Sequence, residues 1–238
     1  LLINIMPSIY VPELSPDKRS ITIAGEEYHH LVNVRRVKIG EIIKLNSGTG
    51  VIAEGKISEL TKRSVVIELL ELVEYPYPEK NFAIAFALLK NKHDELLIEK
   101  CTELGVSTFY PMITDFSVRI PSKNTVNRFR QIAVSAIKQC DNPWLPMINE
   151  PLPLTETIDK VLSERWDPVL CSEQKPPKRI SNLSSNIKPC FIIGPEGGYS
   201  EKEFAFFIKK DILQISICPL ITRAETAAIA AAAQFQLL

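Results

Sequence analysis

The chain has 238 residues, with 28 Lys and Arg against 28 Asp and Glu, so its formal net charge is zero. Hydrophobic residues make up 45% and charged residues 24%, the balance of an ordinary globular protein with one large or two small domains. A neutral chain cannot bind nucleic acid through its overall charge, and any such contact must come from a local basic patch. No apolar run approaches the ~20 residues of a membrane span.

Cysteine and histidine are few and scattered. The five cysteines form no CxxC pair, and the three histidines show no metal-ligand spacing. We therefore expect neither a disulfide framework nor a metal site, and a reducing, cytoplasmic compartment. The apolar run in the first residues is too short for a signal peptide, and it lacks the basic flank of one. Met6 is expected to be the natural start, because position 1 is Leu.

Residues 1–74 are rich in short β-branched runs separated by glycines. Strands are predicted at 21–23, 42–45, 51–53 and 65–67. Short strands with frequent turns indicate a small barrel or sandwich. One helix is predicted over 28–37, where Leu31, Val34 and Val37 recur at helical spacing. Residues 75–80 include Pro76 and Pro78 and are predicted to be a linker.

Residues 81–238 alternate between strand-like and helix-like patterns. Strands are predicted at 82–89, 109–113, 169–171, 190–193 and 212–217, and helices at 94–104, 126–139 and 226–238. This alternation predicts an α/β domain, a parallel sheet with helices on both faces. Ligands bind such sheets at the carboxyl ends of strands. Polar or glycine residues follow three of these ends, at 171–173, 194–198 and 218–222.

The segment 192–206 contains the sharpest motif of the chain. An apolar run leads into the loop Gly194-Pro195-Glu196-Gly197-Gly198, and Ser200 with Glu203 can then form a capping box at a helix start. Glycines let a ligand approach the backbone, and a helix N-terminus presents free N–H groups. The loop has neither the dinucleotide fingerprint nor the P-loop pattern. Taken alone, it is equally typical of a tight turn.

A second motif runs from Pro219 to Ile229. Arg223 and Glu225 precede an alanine-rich run. The pair is also typical of an exposed ion pair that caps a helix, and the alanines also fit simple helix propensity. Small side chains additionally permit close packing against another helix, within the fold or across a dimer.

The two motifs together resemble those of the SPOUT-class methyltransferases, and more narrowly the 16S ribosomal RNA (uracil-N3)-methyltransferase family of RsmE type. Residues 28–41 and 99–106 also resemble segments of that family. The resemblance implies a PUA-like β-barrel at 1–74 that binds RNA, and a SPOUT domain with a deep trefoil knot at 81–238. It further implies a homodimer with its site at the dimer interface, S-adenosylmethionine as cofactor, small-subunit ribosomal RNA as partner and N3-methyluridine as product.

The resemblance also implies roles for particular residues. Arg223 is expected to stabilise the negative charge that develops on the uracil oxygens as N3 loses its proton. Glu225 or Glu196 is expected to accept that proton, directly or through water, and a structural role stays open for both. The residues expected to form the cofactor cleft are Leu170, Ser172, Gly194, Pro195, Glu196, Gly197, Gly198, Ile217, Leu220, Ile221, Arg223 and Thr226.

Clustered cations are the candidates for RNA contact, because phosphate binding depends on pooled Lys and Arg. They are Arg35, Arg36 and Lys38 in the first domain and Lys90 in the second.

The chain departs from the family pattern at several positions. It has Cys218, Leu220, Thr222 and Ala224 where the family has Gly, Arg, Leu and Thr, and Asn142 where the family has an Arg. These changes bear on the cofactor pocket and on the RNA contacts. Two alternatives stay open, a non-catalytic RNA-binding protein on the same scaffold and a SPOUT methyltransferase with a different RNA target.

Overall fold

The structure, a computed structural model, describes residues 7–174, 178–184 and 186–238. The expectation for Met6 lies outside these residues. The chain forms two compact units, Leu1–Pro78 with Val134–Leu145, and Glu79–Ala133 with Pro146–Leu238. The limits 1–74 and 81–238 stay a prediction about the two domains. No local pattern in the sequence shows that residues 134–145 belong to the first unit, because the residues that they contact lie far away along the chain.

The first unit contains a curled five-stranded sheet. Its strands lie in the order β1-β3-β4-β5-β2, antiparallel except where β1 lies beside β3. Register shifts in the β4–β5 ladder, at Glu54/Gly55 and Ile57/Glu59, bend the longest pair. All four predicted strands are confirmed, and two of them extend to ten residues. The strands are β1 (Ile9–Tyr10), β2 (Ser20–Ile23), β3 (Ile42–Asn46), β4 (Val51–Leu60) and β5 (Val65–Glu74).

The helix of the first unit begins earlier and ends sooner than predicted. Helix α1 (Gly25–His29) continues as a π-helical segment, His30–Arg35, and the left-handed Arg36 (φ 53°) ends it. The wider turn of i→i+5 hydrogen bonding changes the phase of the side chains. Val34 is consequently 69% exposed, and it does not share the buried face that helical spacing predicts for it.

The second unit is built on a parallel sheet, as predicted. The strand order is β12-β10-β11-β6-β7-β8, with β9 also paired to β7, and every pairing is parallel. The five predicted strands are all present, and the trefoil knot stays a prediction. The strands are β6 (Ala83–Ala87), β7 (Thr108–Ile113), β8 (Met147–Ile148), β9 (Leu152–Pro153), β10 (Asp167–Cys171), β11 (Pro189–Ile193) and β12 (Leu213–Ile215).

The three helices predicted within 81–238 are confirmed with small shifts at their ends, and residues 134–140 of the second one belong to the first unit. They are α2 (His93–Glu103), α3 (Thr125–Cys140) and α6 (Ala224–Gln236). Helix α5 (Glu201–Lys209) begins at the predicted capping box: Ser200 Oγ accepts from the N–H of Glu203, whose carboxylate accepts from the N–H of Ser200. Helix α4 (Leu154–Ser163) was not predicted, although it buries Leu154, Ile158 and Val161 at helical spacing.

Side chains on both faces of the sheet are buried under helices. Successive residues of a strand point to opposite faces. The alanines of β6 pack in one cluster with α4 and with Phe207 of α5. On the other face, Phe82 contacts Phe235 of α6 and Phe86 contacts Phe129 of α3. Among the described residues, the strand ends are therefore where this sheet can be reached by a ligand. Within the described residues, the helices are too short or too polar to span a bilayer.

Candidate functional site

A cavity of about 720 Å³ opens at the carboxyl ends of β10, β11 and β12. Its walls come from the last residues of these strands and the segments after them, 170–174, 193–199, 217–218 and 220–224, from one face of α5 and from Ala227 of α6. The three strand ends that the sequence singled out therefore meet at one site. The volume lies within the range of small-molecule pockets.

The cavity brings together nearly all residues predicted for the cofactor cleft. Thr226 is the exception: it is exposed on α6 and lies outside the cavity lining. On that helix Ala224 and Ala227 face the cavity, and a residue two positions from Ala224 points away from them. The predicted residues that do line the cavity are Leu170, Ser172, Gly194, Pro195, Glu196, Gly197, Gly198, Ile217, Leu220, Ile221 and Arg223.

The glycine loop is tightly packed against Tyr199. A side chain at Gly194 would lie 2.9 Å from Cε2 of Tyr199, and Gly198 has a φ of 73° that favours glycine. The Tyr199 ring in turn meets Phe207 edge-on, 4.9 Å between centroids. The loop therefore needs its glycines for its own packing, and it presents bare backbone to the cavity as a consequence.

Glu196 is the exposed carboxylate of this loop. It lines the cavity, and its Oε1 accepts a hydrogen bond from the backbone N–H of Lys90 at 3.3 Å. Lys90, predicted to contact RNA, is itself exposed beside the end of β6. Its main chain therefore orients Glu196 while its side chain stays available.

Arg223 is the N-terminal flanking residue of α6 and lines the cavity. Its side chain is exposed, and within the described residues its guanidinium has no hydrogen-bond or ion-pair partner. An unpaired cation at a cavity wall can stabilise a negative charge that forms there. The catalytic role of Arg223 stays a prediction.

Glu225 is placed differently. It is buried, lies outside the cavity lining, and its Oε1 is 2.7 Å from Nδ1 of His93. A carboxylate held in this way is less accessible from the cavity than that of Glu196. His93 was missed in the sequence, because its partner lies 132 residues away and no local spacing connects them.

The first residues of α2 connect three other segments of the second unit. After His93, Asp94 is fully buried and forms an ion pair with Arg119, and Glu95 forms one with Arg128 at 2.7 Å. Burial raises the pKa of the Asp94 carboxyl although the Arg119 guanidinium opposes the shift. This end of α2 therefore fixes the segment after β7, helix α3 and helix α6.

A second network fixes the segment after β7 to α5. The carboxylate of Glu203 accepts from the N–H of Ser200 at 2.9 Å and from the N–H of Asp115 at 2.8 Å. Ser200 Oγ donates to the Asp115 carboxylate at 2.6 Å. The capping box predicted from the sequence therefore also binds the segment after β7, a contact that the sequence does not reveal.

The departures from the family pattern fall at two places. Cys218, Leu220, Thr222 and Ala224 all line the cavity. Asn142 lies in the first unit, where its side-chain Oδ1 accepts from the N–H of Trp144 at 3.0 Å and its backbone carbonyl accepts from Asn46 Nδ2 at 2.8 Å. The changes at 218–224 therefore reshape one cavity wall, whereas Asn142 stabilises local structure.

The remaining candidates are cations of the first unit and thiols of the second. Arg36 and Lys38 are exposed, whereas the Arg35 guanidinium donates to the carbonyl of Pro7 at 2.9 Å.

Cys171 lines the cavity, and burial raises the pKa of its thiol, so it is not a ready nucleophile. All five cysteines are free. In the described part of the chain, no group of three potential metal ligands comes together.

Comparison with known proteins defines the class of this architecture. Residues 76–236 match the family model of the RNA methyltransferase domain, and residues 23–70 match that of the RNA methyltransferase PUA domain. The chain is 30% identical to ribosomal RNA small subunit methyltransferase E of Synechocystis sp., over 92% of this chain and 73% of the relative. It is 29% identical to the protein of the same name from Rickettsia conorii, over 97% and 95%.

The chain belongs to the ribosomal RNA small subunit methyltransferase E family, as its motifs predicted. Solved structures share its fold. The methyltransferase E of Neisseria gonorrhoeae, bound to S-adenosylmethionine, superposes with a TM-score of 0.87 at 24% identity, covering 98% of this chain and 97% of that one. A Legionella pneumophila protein in complex with the same cofactor gives 0.82 at 24%, covering 97% and 96%.

Proposed function

We propose that this protein transfers the methyl group of S-adenosylmethionine to N3 of a uridine in small-subunit ribosomal RNA. The observation that carries the proposal is the cavity at the strand ends, lined by the glycine loop and by the unpaired Arg223, in a chain of this family. The relatives named above are ribosomal RNA small subunit methyltransferases, and the Neisseria structure holds S-adenosylmethionine.

The residues of the cavity fit the proposed cofactor. Leu170, Ile193 and Ile217 provide apolar surface for an adenine ring, and the 194–198 loop offers backbone groups at close approach. The cofactor has no phosphate, so it does not require the phosphate cradle of a P-loop. S-adenosylmethionine supplies an electrophilic methyl group on a sulfonium. Leu220, which is exposed, and Cys218 contribute their side chains to the cavity lining, where the family has Arg and Gly.

The chemistry requires the uracil N3 proton to leave. As N3 bonds to the methyl carbon, the carbon–sulfur bond breaks and its electron pair stays on sulfur, which becomes a neutral thioether. Glu196, directly or through water, accepts the proton. Arg223 stabilises the negative charge on the uracil oxygens. The site also holds the two reactants in line, which accounts for much of the rate in a displacement of this kind.

The RNA is bound through cations outside the cavity. Arg36 and Lys38 are exposed in the first unit, and Lys90 is exposed in the second. Arg35 supports the first cluster through its bond to the backbone. Such contacts make RNA binding strongly dependent on salt.

The assembly that we propose is a cytoplasmic homodimer. Leu220, Ile221 and Leu237 are large apolar residues that this chain leaves exposed near the cavity wall and at the end of α6. Exposed apolar surface of this kind is typical of an interface between copies. Five free cysteines agree with a reducing compartment.

Two measurements test the function. Calorimetry should show S-adenosylmethionine binding to the purified protein. Small ribosomal subunits, or their RNA, from cells that lack this methyltransferase should then accept one labelled methyl group, which mapping places on uridine N3. Absence of cofactor binding would indicate the non-catalytic RNA-binding protein. Transfer to another nucleotide would indicate a methyltransferase with a different target.

A further inference from the structure

The segment after β7 exposes three apolar side chains. Phe116, Val118 and Ile120 are 49%, 63% and 86% exposed, whereas Ser117 and Arg119 between them are hydrogen-bonded to the protein. The side chains thus alternate between a bonded polar face and an exposed apolar face. Three large exposed apolar side chains within five residues are more typical of a binding surface than of an ordinary solvated loop.

The backbone around Phe116 is held in place. The N–H of the preceding Asp115 donates to Glu203, and the Asp115 carboxylate accepts from Ser200 Oγ. Further along the segment, Arg119 forms the buried ion pair described above. The Phe116 ring is therefore exposed on a fixed support. A pre-organised aromatic residue loses little conformational entropy when a partner covers it.

Phe116 lies directly beside the cavity wall. A side chain at Gly197 would lie 3.3 Å from Cβ of Phe116 and 3.8 Å from Cγ and Cδ2 of its ring. Gly197 itself lines the cavity. A Cβ at position 197 would make Phe116 shift by a few tenths of an ångström, so the glycine favours this close approach. A group that covers the free part of the ring is therefore next to the contents of the cavity.

We propose that Phe116 is the stacking platform for an unpaired pyrimidine base of the RNA, which it positions at the rim of the cavity. This inference rests on the proposed function. A base whose Watson–Crick edge is to react must leave its pair and its stack, and it loses stacking energy in doing so. A fixed aromatic ring at the site restores a stacking partner. The ring presents a π face and no hydrogen-bonding group, so the stack by itself does not distinguish one base from another.

A second copy of the chain is the competing occupant of this patch. It would cover Phe116 together with Val118 and Ile120, and Ile120 is the most exposed of the three. A stacked base needs only the aromatic ring. The contact between Phe116 and Gly197 places that ring, rather than the whole patch, against the cavity loop.

Kinetics of three variants test the inference. Phe116→Leu keeps an apolar side chain but removes the aromatic face, and we expect kcat/KM for RNA to fall about tenfold, the scale of one lost base–aromatic stack. Phe116→Trp should keep most of the activity. Ile120→Ala is the control from the same segment, apolar and more exposed than Phe116, and should stay within about twofold of the parent protein. Binding of S-adenosylmethionine should be unchanged in all three.

A binding measurement separates failure of this inference from failure of the proposed function. The tryptophan fluorescence of Phe116→Trp should be quenched by a short oligouridylate and not by an abasic sugar-phosphate oligomer of the same length; the parent protein gives the background of its two tryptophans. This readout needs no methyl transfer. Equal response to both oligomers, or unchanged kcat/KM in Phe116→Leu, would overturn the inference. A lower sedimentation coefficient in both Phe116→Leu and Ile120→Ala would also overturn it, because a second copy would then be the occupant.

Discussion

Nδ1 of His93, the first residue of α2, lies 2.7 Å from Oε1 of Glu225 in the first turn of α6. The contact joins two helix starts of the second unit, and Glu225 is buried. Arg223, which lines the cavity, is two residues before Glu225. We therefore regard the pair as a support that holds the start of α6, and with it Arg223, at the cavity.

Glu225→Gln tests this support role. The amide can still accept a hydrogen bond from His93, so we expect methyl transfer to stay within a few fold of the parent protein. Glu225→Leu should lower the free energy of unfolding by about 1–3 kcal/mol, because it leaves the imidazole without its partner. Denaturant unfolding and initial rates measure the two effects. A loss of about 100-fold or more in a fully folded Glu225→Gln would instead identify Glu225 as the base.

Glu196→Gln should have the opposite outcome. Glu196 lines the cavity, so loss of its proton-accepting oxygen is expected to lower the transfer rate by about 10²–10⁴-fold, the usual contribution of a general base. Thermal unfolding should be almost unchanged, because Glu196 is exposed and makes one long hydrogen bond. Glu201→Gln, on the adjacent helix, is the matched control. An unchanged rate in Glu196→Gln would remove Glu196 from the mechanism.

Arg223→Ala should lower kcat/KM by about 10²–10³-fold, the scale measured for loss of one group that stabilises a developing negative charge. Since the guanidinium has no partner in the described residues, the fold should tolerate the change. Arg223→Lys keeps the charge and should recover part of the activity. Calorimetry with S-adenosylmethionine checks that cofactor affinity changes much less than kcat/KM; a parallel loss of both would assign Arg223 to cofactor binding.

Gly194→Ala should weaken cofactor binding, because the new methyl group lies 2.9 Å from the Tyr199 ring and must displace it. The companion variant Tyr199→Phe changes the same ring, but its expected effect is on the free energy of unfolding. The Tyr199 hydroxyl is buried without a hydrogen-bond partner in the part of the chain that the structure describes. Its removal should be neutral or should raise the free energy of unfolding by up to about 1–3 kcal/mol. Calorimetry measures cofactor binding by Gly194→Ala, and denaturant unfolding measures the stability of Tyr199→Phe. A lower free energy of unfolding in Tyr199→Phe would contradict the finding that the Tyr199 hydroxyl has no hydrogen-bond partner among the described residues.

Arg119→Ala should destabilise the protein by about 3–5 kcal/mol, because it leaves the buried Asp94 carboxylate without its partner. Adding Asp94→Asn should recover much of that loss. Burial raises the folded pKa of Asp94, so this group favours folding below about pH 4, and the contribution is lost as pH rises through the folded pKa. Asp94→Asn should remove this part of the pH dependence. Unfolding curves at several pH values provide the measurement.

The reliable sequence predictions were those in which local chemistry is sufficient. The buried strand β6, the end of helix α2 and the capping box of Ser200 and Glu203 each have a signal within a few residues; for α2 it is Gly105, whose φ is 79°. Helix α4 shows the limit, since its apolar spacing was present but lay between prolines and short strands. The predicted helix over 28–37 was wrong at its end because a π-helical turn has no distinct pattern in the sequence.

The candidate site divides in the same way. The sequence by itself determined the glycine loop, the Arg223 motif and the family, because bare backbone and charge at fixed spacing are properties of short segments. Only the tertiary structure decided that Glu225 is bonded to His93, that Thr226 points away from the cavity and that Phe116 lies against Gly197. The partners in the first and last of these contacts are far apart along the chain, and which face of a helix meets a cavity depends on packing, so no local pattern encodes them.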